Sequence, residues 1–147
     1  VYCRGTNCPC GNDATGPDEG CATSTGSGAR LLPSGTASVA ADDLVLTLDQ
    51  LPLEQFGLVY LGPMPEGCAQ WGDGLRGIQP GPPGSFLRLP TGNAGFTGDI
   101  VYGPGIVAQA QTLHGSAATI VAGSTWYFQG YFRDTQGGSP CGFRFNL

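Results

Sequence analysis

Six cysteines place the strongest constraint on how this chain of 147 residues can fold. Four of them lie near the start, and the full set is Cys3, Cys8, Cys10, Cys21, Cys68 and Cys141. An even number of cysteines in a small chain rich in Gly and Pro is typical of disulfide cross-links made in an oxidising compartment. The sequence therefore predicts a disulfide-bonded protein that is secreted and acts outside the cell or at the cell surface.

A zinc site is the alternative use of these cysteines. The thiols of Cys8 and Cys10 are separated by a single proline, so the usual Cys-x-x-Cys pair is absent. The sole histidine, His114, lies in an unrelated segment. We therefore predict disulfides and no metal.

The positions of the cysteines suggest a pairing. Because four of them cluster at the start, we expect Cys68–Cys141 to be the long-range bridge. In the chain-entropy description of cross-linking, such a bridge stabilises the fold by about 4 kcal/mol. The other four would pair among themselves, and the favoured arrangement is Cys3–Cys10 with Cys8–Cys21.

Composition excludes two classes of partner. The net charge is -5, charged residues make up 12% of the chain, and its six cations are all arginines. Nucleic acids and anionic membranes are bound through clustered cations, so we expect neither as a partner. No apolar run approaches the roughly 18 residues of a membrane helix, so no membrane insertion is expected. The chain begins at Val1 without a charged leader, and we expect any signal peptide to have been removed.

Hydrophobic patterning predicts the fold class. Residues 1–27 have no hydrophobic period and are predicted to form a Cys/Gly-rich loop segment held by cross-links. From residue 28 onwards apolar residues alternate with period two, most clearly over 125–133, and also over 44–48 and 56–60. Further short strands are predicted at 29–32, 36–40, 75–79, 85–89, 96–102, 105–112, 117–121 and 142–147. Residues 28–147 are therefore predicted to form an all-β domain, an antiparallel β-sandwich of jelly-roll or immunoglobulin-like type.

Residues suited to catalysis have simpler explanations. Any Ser/His/Asp arrangement must use His114, but Ser116 is too close to it in sequence, and no Gly-x-Ser-x-Gly turn occurs. Carboxylate pairs could be drawn from Asp42, Asp43, Asp73 and Asp99. Such residues commonly cap backbone groups in turns. We predict that the protein is not an enzyme and uses no cofactor.

Oxygen-rich residues lie between Cys10 and Cys21, and they include Asn12, Asp13, Asp18 and Glu19. Calcium prefers such ligands, but the spacing differs from an EF-hand and Pro17 interrupts it. We predict a solvated acidic loop here.

Aromatic residues offer the best candidates for ligand stacking. Trp71 lies in a Gly-rich turn, and Tyr60 lies on a predicted strand. Tyr102, Tyr127 and Tyr131 could line the same sheet face as Tyr60. The alternative is that the tyrosines only cover a core filled by larger apolar rings. The predicted core rings are Trp126, Phe128 and Phe132.

Several motifs occur in an order that resembles a known domain. They are Cys8-Pro9-Cys10-Gly11-Asn12, Gly20-Cys21-Ala22, residues 37–46, Gly72-Asp73-Gly74-Leu75-Arg76, residues 126–134 and Phe145-Asn146-Leu147. Together they span nearly the whole chain. This chain resembles a short domain of uncharacterised secreted proteins from planctomycete-like bacteria. The resemblance implies an exported, Cys-containing, all-β module with no established catalytic role.

The chain departs from that family in two places. The relatives usually have a Cys after the Gly-Leu-Arg segment, where this chain has Gly77, and Cys68 could replace it in the bridge to Cys141. The relatives also continue past Phe-Asn-Leu into one more β-strand, whereas this sequence ends at Leu147. Either the sequence is clipped, or the closing strand comes from elsewhere. A sandwich lacking one strand exposes backbone groups and an apolar groove that another chain can fill.

These observations lead to a functional hypothesis. We expect a non-catalytic extracellular structural subunit that binds copies of itself by β-strand complementation, in a pilus-like filament or a surface layer. The expected interface residues are Val1, Tyr2, Phe143, Phe145 and Leu147. The alternative is a carbohydrate-binding or adhesive module of a secreted protein, with glycans stacked on Trp71 and Tyr60.

Overall fold

The computed structural model describes residues 3–79, 86–115, 118–135 and 141–147. Within these ranges the chain forms short strands and one helix, α1 (Ile106–His114). The strands are β1 (Arg30–Ser34), β2 (Val45–Asp49), β3 (Phe56–Gly62), β4 (Pro65–Trp71), β5 (Gly74–Ile78), β6 (Leu87–Arg88), β7 (Gly92–Asn93), β8 (Ile100–Tyr102), β9 (Tyr127–Arg133) and β10 (Phe145–Asn146). In the described part of the chain, no helix has the length and apolar character needed to cross a membrane.

The strands form antiparallel sheets. A three-stranded sheet has the order β1-β2-β8, and a second sheet has the order β10-β9-β3-β6, with β7 also paired to β3. β4 and β5 form a separate hairpin. The predicted all-β class is therefore confirmed, and the jelly-roll or immunoglobulin-like sandwich remains a prediction.

One hydrophobic core is shared by the two larger sheets. Leu46 and Leu48 of β2 lie in the same buried cluster as Val59 and Leu61 of β3 and Phe132 of β9. These residues occupy alternate positions along their strands, as the period-two pattern requires. Phe132 is fully buried, whereas Trp126 and Phe128 pack against this core from partly buried positions.

The region around residues 105–112 was predicted as a strand, and this prediction is wrong. Ile106 and Ala110, one helical turn apart, are the buried residues of α1. The carboxylate of Asp42 accepts hydrogen bonds from the backbone N–H groups of Val107 (2.9 Å) and Ala108 (3.0 Å). This acid comes from a distant turn and satisfies donors that the helix itself cannot pair. No strand forms at 36–40 or at the described residues of 117–121 either.

All six cysteines form disulfides, but the pairing differs from the expected one. The bonds are Cys3–Cys68, Cys8–Cys21 and Cys10–Cys141. Cys8–Cys21 matches the prediction, whereas Cys68–Cys141 and Cys3–Cys10 are wrong. The error arose because the N-terminal cysteines were assumed to pair locally. Two of them instead join the N-terminal segment to distant parts of the chain. Three disulfides indicate an oxidising environment.

Gly130 provides a direct test of how closely the two sheets pack. A Cβ atom at this position would lie 2.4 Å from Cδ1 of Leu48 on the facing sheet. We expect Gly130→Ala to lower the free energy of unfolding by about 1–3 kcal/mol, because the core must shift to accept the methyl group. Urea denaturation monitored by circular dichroism measures this change.

The control is Gly67→Ala in β4, where an added Cβ meets nothing within 4 Å. We expect no loss of stability there. Equal effects of the two substitutions would contradict the close packing of β9 on β2.

Candidate functional site

Two open pockets in the described part of the molecule each have a volume of about 460 Å³. The first, here called the aromatic cleft, contains the rings of Tyr60, Trp71, Phe86, Tyr131 and Phe145. Leu58, Arg76, Arg88 and Leu147 complete its lining. The second, here called the inter-sheet groove, lies where β1 and β2 face β9.

The floor of the aromatic cleft is the outer face of the larger sheet. Along β3, Val59 and Leu61 point into the core, so Leu58 and Tyr60 point to the other face. Tyr131 of β9 lies opposite Leu58, and Arg88 of β6 lies opposite Tyr60. Alternation along β3 and cross-strand pairing therefore place these side chains together.

The β4–β5 hairpin supplies the second wall of the cleft. It carries Trp71 and Arg76, and the Arg76 guanidinium lies 4.6 Å from the centre of the Trp71 ring. The side chain of Gln129 attaches this hairpin to β9. Its Nε2 donates to the carbonyl of Leu75 (2.7 Å), and its Oε1 accepts from the N–H of Gly77 (2.8 Å).

An ion pair on the hairpin controls the charge of the cleft. Arg76 donates from Nε and Nη2 to the two carboxylate oxygens of Glu66, at 2.5 and 3.0 Å. The hydrogen bond from Arg76 lowers the pKa of Glu66, and the same bond raises the pKa of Arg76. Both groups therefore stay charged at neutral pH and largely neutralise one another.

Arg88 differs from Arg76 in having no ion-pair partner in the described part of the chain. Among the described residues, the ion pairs involve Arg4, Arg30 and Arg76 but not Arg88. The Arg88 guanidinium lies 5.8 Å from the centre of the Phe86 ring. The cleft thus contains an exposed positive charge beside aromatic rings.

Tyr60 forms the most buried part of the cleft. Its side chain is 4% exposed, its ring lies 4.8 Å from that of Phe86, and its hydroxyl donates to Oε1 of Gln129 at 2.6 Å. Burial raises the pKa of the Tyr60 phenol well above its ordinary range. Tyr60 is therefore neutral at every physiological pH, and it orients the amide that holds the hairpin.

The inter-sheet groove has a different construction. Its floor contains Leu46 and Leu48 of β2, and Leu31 of β1 lies at one side. The other side is formed by residues 126–130, that is, Trp126 and the first four residues of β9. Cys3 and Leu147 also line this groove.

The structure places several predicted residues in these surfaces. Trp71 and Tyr60, the predicted stacking residues, share the aromatic cleft. Phe145 and Leu147, predicted to form an assembly interface, also line it. Phe143 is 42% exposed, with its ring 5.8 Å from that of Phe145. Val1 and Tyr2 lie outside the described residues.

The other tyrosines do not all share one face. Tyr131 lies in the cleft with its ring 5.5 Å from that of Phe145, but Tyr102 is buried in the core. The Tyr102 hydroxyl donates to the carbonyl of Gly57 (3.3 Å). The expectation that Tyr102 lies beside Tyr60 is wrong, since β8 belongs to the other sheet.

The residues considered for catalysis occupy structural positions. His114 ends α1, and its Nε2 lies 2.9 Å from the carbonyl oxygen of Arg88. Asp42 accepts hydrogen bonds from the start of α1, and Asp43 accepts from the N–H of Thr36 (3.2 Å). A second hydrogen bond, from the Thr36 hydroxyl, lowers the pKa of Asp43. Asp73 is buried at the turn of the hairpin, and Ser116 lies outside the described residues.

The oxygen-rich residues of the N-terminal segment bind backbone donors and an arginine. Asp13 accepts from the N–H of Cys8 (2.7 Å), Glu19 accepts from that of Gly16 (3.0 Å), and Asp18 lies 3.2 Å from Arg4. Asn12 donates to the carbonyls of Ala22 (2.8 Å) and Asp73 (3.0 Å). In the described chain, the one cluster of metal-ligating residue types is Cys10, Asp73 and Cys141, and its two sulfurs are bonded to each other.

Three residues of the cleft were not predicted from the sequence to belong to a ligand site. They are Arg76, Phe86 and Arg88. Arg76 and Trp71 lie on opposite strands of the hairpin, so the turn at Gly72-Asp73-Gly74 could have indicated their proximity. Phe86 and Arg88 reach the cleft only because β6 pairs with β3. No local pattern predicts that pairing.

Comparisons with known proteins do not add to this picture. No family model matches the chain, and no curated protein or solved structure matches it.

The buried tyrosines predict a loss of stability in alkali. The pKa of a tyrosine in the unfolded chain is about 10. Burial raises the pKa of Tyr102 to about 12 and raises the pKa of Tyr60 by more. A raised pKa in the folded state means that stability is complete below pH about 10 and declines as pH rises towards the folded pKa. Urea denaturation over this pH range measures the decline.

Tyr60→Phe should reduce this alkaline decline, because it removes one buried phenol. Tyr131→Phe is the matched control, since Tyr131 lines the same cleft but is only partly buried. An equal reduction in both variants would contradict the role of burial at Tyr60.

Proposed function

We propose that this protein is a non-catalytic structural subunit that is secreted and self-assembles outside the cell. Copies are joined by β-strand complementation, in a pilus-like filament or a surface layer. The observation that supports this proposal is the open side of β9 along the inter-sheet groove.

β9 is only partly covered by neighbouring strands. On one side, residues 128–131 pair with residues 58–61 of β3. On the other side, β10 pairs only with Phe132 and Arg133. Within the described chain, residues 128–131 therefore have a strand partner on one side. β5 contacts β9 here through the side chain of Gln129 and not through backbone pairing. Backbone N–H and C=O groups on an open strand edge favour the addition of another strand.

The groove beside this edge provides a surface for the added strand that is apolar along β2, with Asp18 and Arg30 also in its lining. Leu46 and Leu48 form its floor, and Leu31 and Phe128 are partly buried at its sides. On the far side, β1 pairs only with β2 among the described strands. Alternate side chains of an added strand would be buried here while its backbone pairs with β9.

The segments that contain Cys3 and Leu147 are candidate donors of such a strand. Cys3 and Leu147 both line the groove. Residues 145 and 146 pair with β9 of their own chain, and Leu147 is 8% exposed. The corresponding segment of a neighbouring copy can make the same kind of contacts between molecules. A head-to-tail contact of this type that does not close produces a filament.

Carbohydrate binding or adhesion is the second candidate function. The observation that favours it is the presence of Trp71 and Tyr60 in one cleft with three further aromatic rings. The two candidates use different surfaces, although Leu147 borders both. A surface subunit can therefore carry both activities.

Assembly should depend on protein concentration and involve the groove. We expect the oxidised Trp71→Phe protein to form polymers visible by negative-stain electron microscopy. In this variant Trp126 is the remaining tryptophan. Its fluorescence emission maximum should shift to shorter wavelength as the groove is covered, because its surroundings become less polar. A monomer at all concentrations by light scattering, with unchanged fluorescence, would contradict the proposal.

Two adjacent residues of β1 provide a matched test of the groove. Leu31 lines the groove, whereas Leu32 is 41% exposed and does not line it. We expect Leu31→Glu to reduce assembly at least about tenfold, because covering a carboxylate with an apolar strand costs well over 1 kcal/mol. Leu32→Glu should assemble normally. Sedimentation of polymers measures both, and near-ultraviolet circular dichroism checks that each variant is folded.

If Leu31→Glu assembled as readily as Leu32→Glu, the groove would not be the assembly interface.

A further inference from the structure

We propose that the aromatic cleft binds an acidic saccharide, that is, a sugar chain whose rings carry carboxylate groups. Trp71 provides the surface on which a sugar ring stacks, and Arg88 binds the carboxylate. This inference rests on the second candidate function, carbohydrate binding in this cleft. It concerns a different surface from the inter-sheet groove and does not depend on self-assembly.

The apolar part of the cleft suits the flat face of a sugar ring. Trp71 is 46% exposed even though the Arg76 guanidinium lies over its ring. Phe86, Tyr131 and Phe145 extend the aromatic surface beside it. Ligand sites typically combine such apolar surface with a few polar groups that orient the ligand. The C–H groups on one face of a pyranose are apolar, so this face can stack on an aromatic ring.

Polar groups for the sugar hydroxyls lie next to this surface. Arg76 uses Nε and Nη2 to bind Glu66, so Nη1 has N–H groups that can donate to a hydroxyl oxygen. The ion pair with Glu66 also fixes the orientation of the guanidinium. A donor held in place by a second residue loses little conformational entropy when a ligand binds.

The charge of the cleft favours an acidic sugar over a neutral one. Among the described residues, the cleft is lined by two arginines and by no Asp or Glu, while the whole chain has a net charge of -5. Glu66 neutralises Arg76, but Arg88 has no ion-pair partner among the described residues. A guanidinium binds a carboxylate through two parallel hydrogen bonds. An anionic ligand is thus attracted to the cleft and repelled by the rest of the protein.

The floor of the cleft argues for a saccharide rather than a peptide strand. The floor is the face of β3, which pairs with β9 on one side and with β6 on the other. A peptide that adds to a sheet needs an open strand edge, and β3 does not provide one here. The cleft instead presents side chains from paired strands and from a hairpin.

The test uses the protein with Trp126→Phe, in which Trp71 is the remaining tryptophan and reports on the cleft. Hexuronic acid oligosaccharides, such as fragments of polygalacturonate and alginate, are titrated against it. Each is paired with its carboxyl-reduced, neutral counterpart. We expect Trp71 fluorescence to change with at least one acidic oligosaccharide, and affinity to fall about tenfold or more after carboxyl reduction.

Arg88→Gln tests the proposed carboxylate contact. This variant should bind the acidic and the neutral oligosaccharide with similar, weak affinity. Arg30→Gln is the control, because it removes an arginine from β1 in the other sheet, where the guanidinium binds Asp49. It should keep the preference for the acidic form. Circular dichroism of each variant shows that loss of binding is not loss of fold.

Three results would overturn the proposal. They are no fluorescence response to any uronic acid oligosaccharide, equal affinity for the acidic and carboxyl-reduced forms, and an unchanged preference in Arg88→Gln. Binding of an acidic peptide in place of every saccharide would also overturn it. Binding is measured below the concentration at which polymers form, so these results are independent of the assembly experiment.

Discussion

Two long-range disulfides connect parts of the molecule that have little hydrophobic core of their own. Cys10–Cys141 joins the N-terminal segment to the residues before β10, and Cys3–Cys68 joins it to β4. Their sequence separations are 131 and 65 residues. Cross-links that close such long loops lower the entropy of the unfolded chain, so folding loses less entropy. The N-terminal segment and the hairpin can then be ordered although they bury few large apolar side chains.

The aromatic cleft depends on these connections. Trp71 and Arg76 belong to the hairpin, which contacts the larger sheet through Gln129 and is cross-linked through Cys68. The N-terminal segment adds hydrogen bonds from Asn12 to Asp73, at the hairpin turn, and Asn146 donates to the carbonyl of Cys21 (3.2 Å). One wall of the cleft is therefore fixed by covalent bonds and polar contacts, and the other by the sheet.

β9 takes part in both candidate surfaces. Tyr131 points into the aromatic cleft, whereas residues 126–130 line the inter-sheet groove. Gly130 lets β9 approach Leu48 closely, because any side chain there would collide with it. The two proposals therefore use different parts of β9: its open edge for assembly, and its outer face for ligand binding.

The sequence by itself determined the strands with regular alternation, the all-β class and the presence of disulfides. β2, β3 and β9 were predictable because alternation is a local property of consecutive residues. Only the tertiary structure decided what depends on distant residues. This includes the partners of Cys3 and Cys10, the helix at Ile106–His114 that Asp42 caps, and the position of Arg88 beside Tyr60. Such contacts join residues far apart in sequence, and no local pattern specifies which of many distant partners packing will select.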